Sequence, residues 1–186
     1  MGDLVLETAR LVLRKPQDGD ALLQMECLNT PAVMEHLGGP KELHEIEAKH
    51  AKVEASFARE NFGFMMAIEK ATGDMVGHCG LKRVDHPLAK NIGDLEVGWL
   101  IREDRWRMGY ASEAVCATLD MAFARELAPH VVALTSERNA PSWRFMEKLG
   151  MVRRKDLDFV DPAFAERDSP TIVYRLDSHD WLARAA

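Results

Sequence analysis

One stretch constrains this chain more than any other: a strand that runs into a helix through a turn rich in arginine and glycine. Leu95-Glu96-Val97-Gly98-Trp99-Leu100-Ile101 alternates as a strand does, and Ala114, Val115, Thr118, Leu119 and Ala122 recur at helical spacing. Between them lie Arg102, Arg105, Arg107, Met108, Gly109, Tyr110, Ala111 and Ser112. The first turn of a helix leaves backbone N–H groups without intrahelical acceptors, and the helix dipole adds partial positive charge there. Gly109 and Ala111 remove the side-chain bulk that would hold a pyrophosphate away from those groups, and the three arginines place positive charge nearby. The junction therefore reads as an anion site.

The strand is expected to run from about Asn91 to Ile101, and the same alternation sorts its side chains. Leu95, Val97, Trp99 and Ile101 fall on one face, with Asp94, Glu96, Gly98 and Leu100 on the other.

Composition narrows what surrounds the junction. With 186 residues, 47% hydrophobic and 29% charged, the chain is expected to form one globular domain over residues 1–186. A net charge of −6 disfavours nucleic acid and suits a small polyanionic cofactor at the local arginine patch. No apolar run approaches the roughly 20 residues that span a bilayer, and Met1-Gly2-Asp3-Leu4 is unlike a secretory signal. No membrane association and a cytoplasmic location are expected. Cys27, Cys79 and Cys116 lack CxxC spacing, which argues against a disulfide framework or a zinc site. They read as buried spectator thiols.

Along the chain, Arg10-Leu11-Val12-Leu13-Arg14 reads as a first strand. Asp18 or Asp20 then caps a helix to about Leu28 that buries Leu22, Leu23 and Met25 or Cys27. Pro31 opens a helical turn that Gly38-Gly39-Pro40 ends. From Lys41 to Glu60, Leu43, Ile46, His50, Val53 and Phe57 step by three and four, which predicts an amphipathic helix. Phe62–Glu69 and Met75–Leu81 form a hairpin around Thr72-Gly73-Asp74. A helix over Gly109–Leu127 precedes a β-branched strand over His130–Ser136. Asn139-Ala140-Pro141-Ser142 starts a further helix that Gly150 ends, and strands near Val152–Phe159 and Thr171–Leu176 close the chain. No internal repeat is present.

With Gly109-Tyr110-Ala111-Ser112-Glu113-Ala114 after a strand, and Asn139-x-x-Ser142 followed by Glu147-Lys148-Leu149-Gly150-Met151, the chain resembles the GNAT superfamily of acyl-CoA-dependent N-acetyltransferases. Thr8–Arg14 and the hairpin from Ala67 to Gly77 are similar to the RimJ/RimL-like branch. The resemblance implies an α+β, GNAT-like acyl-CoA N-acyltransferase fold: a mostly antiparallel central sheet of about seven strands, splayed in the middle, with helices on both faces.

The same resemblance implies acetyl-CoA as cosubstrate, with no metal. The N–H groups from Arg107 through Met108, Gly109, Tyr110 and Ala111 to Ser112 would cradle its pyrophosphate. Trp99, Leu100 and Ile101 would pair with the pantetheine as an added strand, and Asn139 and Ser142 match the second cofactor motif. Two positions depart from the pattern. Arg107 stands where Gly is common in the branch, and Met146, which cannot donate a proton, stands where many members have Tyr.

Acyl transfer to an amine needs an uncharged amine, a dipole for the oxyanion and a proton for the departing sulfur. Glu96 is the leading base, with Asp94 as fallback; the plain alternative is a solvated strand carboxylate. Ser142 is the candidate partner of the thiolate, against an ordinary first-turn Ser, and Asn139 against a simple N-cap. His36, His44, His78 and His86 lie in no metal or triad pattern and read as surface or satisfied core residues. Trp143, Phe145 and Tyr174 read as packing groups, with lining of the acceptor pocket as the alternative for Tyr174.

The branch implies a protein N-terminal α-amino group as acceptor, attacked directly in a ternary complex. A small amine (polyamine, amino acid or antibiotic) and a non-catalytic acyl-CoA-binding regulatory domain stand as alternatives. Asn29–Pro40 and Val160–Pro170 are the expected acceptor loops, and both monomer and homodimer remain open.

Overall fold

The computed structural model describes residues 3–162, 164 and 166–184. They cluster into two compact units. The first comprises Met1–Glu35, Gly39–Lys82 and Gly98–Thr118; the second comprises His36–Gly38, Arg83–Val97 and Leu119–Ala186.

In the first unit, β1 (Leu4–Glu7), β2 (Leu11–Arg14), β3 (Phe64–Glu69) and β4 (Met75–Arg83) pair antiparallel in sequence order. The strand read over Arg10–Arg14 is thus preceded by another that alternation over four residues was too short to reveal. β5 (Leu95–Ile101) contributes its C-terminal half here. Arg102 N–H donates to the Val76 carbonyl over 3.0 Å, and a Cβ on Gly77 would stand 2.1 Å from the Leu100 carbonyl oxygen. Two backbones approach this closely only where one lacks a side chain.

Helices cover both faces of this unit's strands. α1 (Asp20–Cys27) sets Cys27 and the adjoining Leu28 against Met66, Ile68, Met75 and Leu100. α3 (Tyr110–Ala124) packs on the opposite face, where Thr118 Oγ1 lies 3.5 Å from Cys79 Sγ. Burial there pushes the Cys79 thiol up to about 12, so it is inert. Cys27 and Cys116 are only half-buried, unlike the expected set of three buried thiols.

α1 departs from its expected face. Leu22 and Leu23 are exposed, while Asp20 is buried and held by the Arg14 guanidinium at 2.6 and 2.8 Å. Asp20 is the first helical residue, and the cap position belongs to Gly19 in the left-handed region. An ion pair therefore anchors this short helix where apolar periodicity predicted leucines. α2 (Leu43–Glu60) follows the pattern: Ile46 and Phe57 are buried, Glu42 and Glu45 form a capping box, and Asn61 ends it at φ 58°.

In the second unit, the N-terminal half of β5 pairs in parallel with β6 (His130–Ser136) through Leu95↔Val131 and Glu96↔Val132. β6 pairs antiparallel with β8 (Thr171–Asp177), which pairs with the two-residue β7 (Val152–Arg153). The expected strand over Val152–Phe159 shrinks to β7 and an isolated bridge, Phe159↔Thr171. Val84, Ala89, Val132 and Val173, with Leu134, Leu157 and Phe159, form this unit's core. Burying each such side chain is worth roughly 1.5–3 kcal/mol. α4 (Ala140–Lys148) and α5 (Ser178–Leu182) complete the elements.

Because β5 belongs to both units, the pairings read β1-β2-β3-β4-β5-β6-β8-β7, a mixed sheet of eight strands. The added β1 accounts for the difference from the count the resemblance implied.

Candidate active site

The site is built first from the turn between β5 and α3. β5 ends at Ile101, a single 3-10 turn spans Glu103–Arg105, and the chain bends through Trp106–Gly109. Trp106 Nε1–H donates to the Ile101 carbonyl over 2.7 Å and fixes the exit from the strand. Two residues of the bend take left-handed backbone: Arg107 at φ 62° and Gly109 at φ 85°. A side chain on Gly109 would be strained and would crowd Arg10 Nη2 at 3.3 Å.

The first helical bond of α3 runs from Glu113 N–H to the Gly109 carbonyl over 3.0 Å. The N–H groups of Tyr110, Ala111 and Ser112 precede that bond and meet no acceptor among the described residues. They form an open row of donors at the positive end of the helix, and a pyrophosphate is the group that such a row suits. The residues present therefore fit the coenzyme A phosphates.

The charge around this row differs from the expectation. Arg102 pairs with Asp104 at 3.0 Å and donates to the Met75 carbonyl, and Arg105 pairs with Asp74 at 3.2 Å. Only Arg107 of the three remains exposed and, among the described residues, without an ion pair. A fourth arginine takes part that spacing did not reveal. Arg10 reaches the turn from the start of β2, donates to the Met108 carbonyl over 2.9 Å and lies over the Tyr110 ring at 4.3 Å.

Two carboxylates brace the helix start. Burial opposes the charge on Glu113, but hydrogen bonds from Thr8 and Arg10 outweigh it and hold the carboxyl below its usual range. Glu69 accepts from Tyr110 Oη and Thr72 Oγ1; these bonds lower its carboxyl, and the Tyr110 phenol is raised in turn.

The strand residues lie as alternation foretold. Leu95, Val97 and Ile101 are buried, Trp99 and Glu96 are half-buried, and half-buried Leu100 packs onto the Leu28 and Met66 cluster. Phe64 lies where a Cβ on Gly98 would meet its ring at 2.7 Å. Asp94 is committed elsewhere: His130 Nε2 stands 3.1 Å from one oxygen and Asn91 donates to the other over 3.0 Å.

In the second unit, Asn139 is an N-cap, its Oδ1 accepting from the Ser142 N–H over 3.3 Å. Ser142 is half-buried in the first turn of α4, and Met146, one turn on, is buried. Trp143 and Tyr174 are not merely packed: with Glu137, Glu147, Arg153 and Ile172 they line a cavity of about 300 Å³, and Tyr174 Oη donates to Glu147 over 3.2 Å.

The histidines find partners that sequence did not indicate. His86 stands 2.9 Å from Asp161 and His36 3.3 Å from Asp168. His78 differs: burial lowers its imidazole to about 4, its ring meets Phe64 edge-on at 5.5 Å, and its Nδ1 has no hydrogen-bond partner among the described residues. Among the described residues, no cluster of three metal-ligating side chains occurs, and no helix is long and apolar enough to cross a membrane. Of the expected acceptor loops, Ala163 and Ala165 lie outside the described residues.

A mixed sheet in this order, with an acceptor-free helix start following β5, is an arrangement that a phosphate-bearing ligand fits. The chain belongs to the GNAT acetyltransferase family: residues 10–152 match its acetyltransferase (GNAT) domain. It is 31% identical over 176 residues to YkkB of Bacillus subtilis, covering 94% of this chain and 96% of that protein. The N-acetyltransferase YoaA of the same organism is 28% identical over 149 residues, or 78% of this chain and 81% of that one. A crystal structure of an acetyltransferase from Agrobacterium tumefaciens superposes with a TM-score of 0.73 at 28% identity, covering 92% of each chain. The protein is thus an N-acetyltransferase, of a family that uses acetyl-CoA and an amine acceptor.

Proposed function

We propose that this enzyme, a single GNAT domain of the RimJ/RimL-like branch, transfers acetyl from acetyl-CoA to the α-amino group of a protein N-terminus by direct attack in a ternary complex. The observation that carries the cofactor half of this reading is the open donor row at Tyr110–Ser112 beside left-handed Gly109. The branch assignment rests on Thr8–Arg14, the hairpin and the Gly109–Ala114 motif.

Acetyl-CoA supplies an activated thioester. The chain's own groups do the rest. The N–H groups from Arg107 to Ser112 hold the pyrophosphate, and Trp99, Leu100 and Ile101 offer strand backbone to the pantetheine. Asn139 keeps its side-chain amide donors for the cofactor while its oxygen caps α4. Glu96 takes the proton from the ammonium, directly or through water, so that the amine attacks uncharged. Ser142 donates a hydrogen bond to the departing sulfur in place of the tyrosine that Met146 replaces. Asp94, which meets His130 and Asn91, is the fallback base.

Thiol release from acetyl-CoA tests this reading against a panel of N-terminal peptides, polyamines and amino acids. Peptide-dependent release, reduced at least about 100-fold in Glu96→Gln, is expected. Release with small amines alone would move the acceptor to that class. Coenzyme A binding without release for any amine would leave a binding module.

A further inference from the structure

We infer that the Arg107 side chain is a specificity determinant for the 3′-phosphate of coenzyme A, distinct from the backbone donors that hold the pyrophosphate. The inference rests on the cofactor reading above.

Three observations carry it. First, Arg107 holds φ 62°, a left-handed conformation that disfavours any side chain with a Cβ. A glycine would take that backbone without strain, so the arginine is held at a conformational cost that its own contacts do not repay. Second, Arg102 and Arg105, its neighbours of like charge, are tied to Asp104 and Asp74, and Arg10 is tied to Glu113 and the Met108 carbonyl. Arg10 and Arg107 are both exposed, and of the four Arg107 is the one that, among the described residues, makes no ion pair. Third, the pyrophosphate is served by the backbone row and the helix dipole, which face along the axis of α3. The Arg107 guanidinium, on a long stem two residues before Gly109, is not one of those donors. The remaining phosphate of the cofactor is a compact dianion on the ribose, which a guanidinium fork matches in charge and geometry.

The test compares equilibrium binding of coenzyme A and dephospho-coenzyme A by calorimetry, for the wild type, Arg107→Gln and Arg107→Gly. The wild type should bind coenzyme A about tenfold more tightly than the dephospho form, and both variants should erase that preference while leaving dephospho-coenzyme A affinity within about twofold. Arg107→Gly should also melt no lower than the wild type, since it relieves the left-handed side chain. Equal weakening toward both ligands would overturn the inference by assigning the guanidinium to the pyrophosphate, and unchanged affinities would overturn it outright. A lower melting temperature in Arg107→Gly with affinities intact would make the residue structural. If the wild type binds neither ligand, the cofactor reading falls and takes this inference with it.

Discussion

Arg10 Nε meets Glu113 Oε2 at 2.7 Å across 103 positions of sequence, while Glu113 Oε1 accepts from Thr8 Oγ1 at 2.6 Å and from the Arg10 N–H at 2.7 Å. One carboxylate in the first turn of α3 thus gathers the turn between β1 and β2. Glu113→Ala leaves three donors without their acceptor and should destabilise the fold by about 1–3 kcal/mol. It should also loosen the turn that presents Gly109. Urea denaturation checks the first effect; a loss below about 0.5 kcal/mol would make the cluster an ornament of the surface.

Acid should act through the same region. The Glu69 and Glu113 carboxyls are both held below their ordinary value of 4.5. A carboxyl lowered in the folded state stabilises above its unfolded pKa, and that contribution is lost as pH falls through the folded one. Glu69→Gln should therefore lose less melting temperature than the wild type between neutral pH and about pH 3. Parallel curves for the two proteins would contradict it.

His78 runs in the same direction for a different reason. Burial lowers its imidazole from 6.5 to about 4, so the unfolded chain binds a proton that the folded one refuses. Stability contributed by the neutral ring is complete above the unfolded value and declines as pH falls from about 6.5 toward 4. The residue as a whole is half-buried, so a loss of about 1 kcal/mol by pH 5 is expected. His78→Leu should remove that increment in urea melts at pH 7 and pH 5, and an assigned His78 resonance titrating near 6.5 would refute the assignment.

Gly77 and Gly73 should respond unequally to alanine. A Cβ on Gly77 would stand 2.1 Å from the Leu100 carbonyl, whereas one on Gly73 meets nothing within 4 Å and is only strained by φ +78°. Gly77→Ala should cost at least about 3 kcal/mol by separating β4 from β5, and Gly73→Ala about 1 kcal/mol. Similar melting temperatures for the two variants would contradict the close approach.

Most of this was legible where periodicity is long or a turn is chemically specific. α2, the β3–β4 hairpin, β5 and the Asn139 cap follow from residue spacing alone, because each is decided by neighbours in sequence. What escaped is non-local. Nothing near Asp20 announces that Arg14 will bury it against the apolar pattern of α1. Nothing near Gly109 announces Arg10, and the charge of Arg102 and Arg105 is cancelled by Asp104 and Asp74. The pairings of His36, His86 and His130 with aspartates likewise depend on how the chain folds back. β7 shrank because its alternation competes with the turn at Lys155–Leu157.

The most direct measurement is calorimetric titration of acetyl-CoA into the wild type and Gly109→Glu. A carboxylate at that position, on backbone of φ +85° beside the open N–H row, would place bulk and negative charge where the pyrophosphate belongs. The wild type should bind at micromolar concentration, and Gly109→Glu, still folded by circular dichroism, should show no binding. Equal affinity in the two proteins would contradict the assignment of this turn to the cofactor.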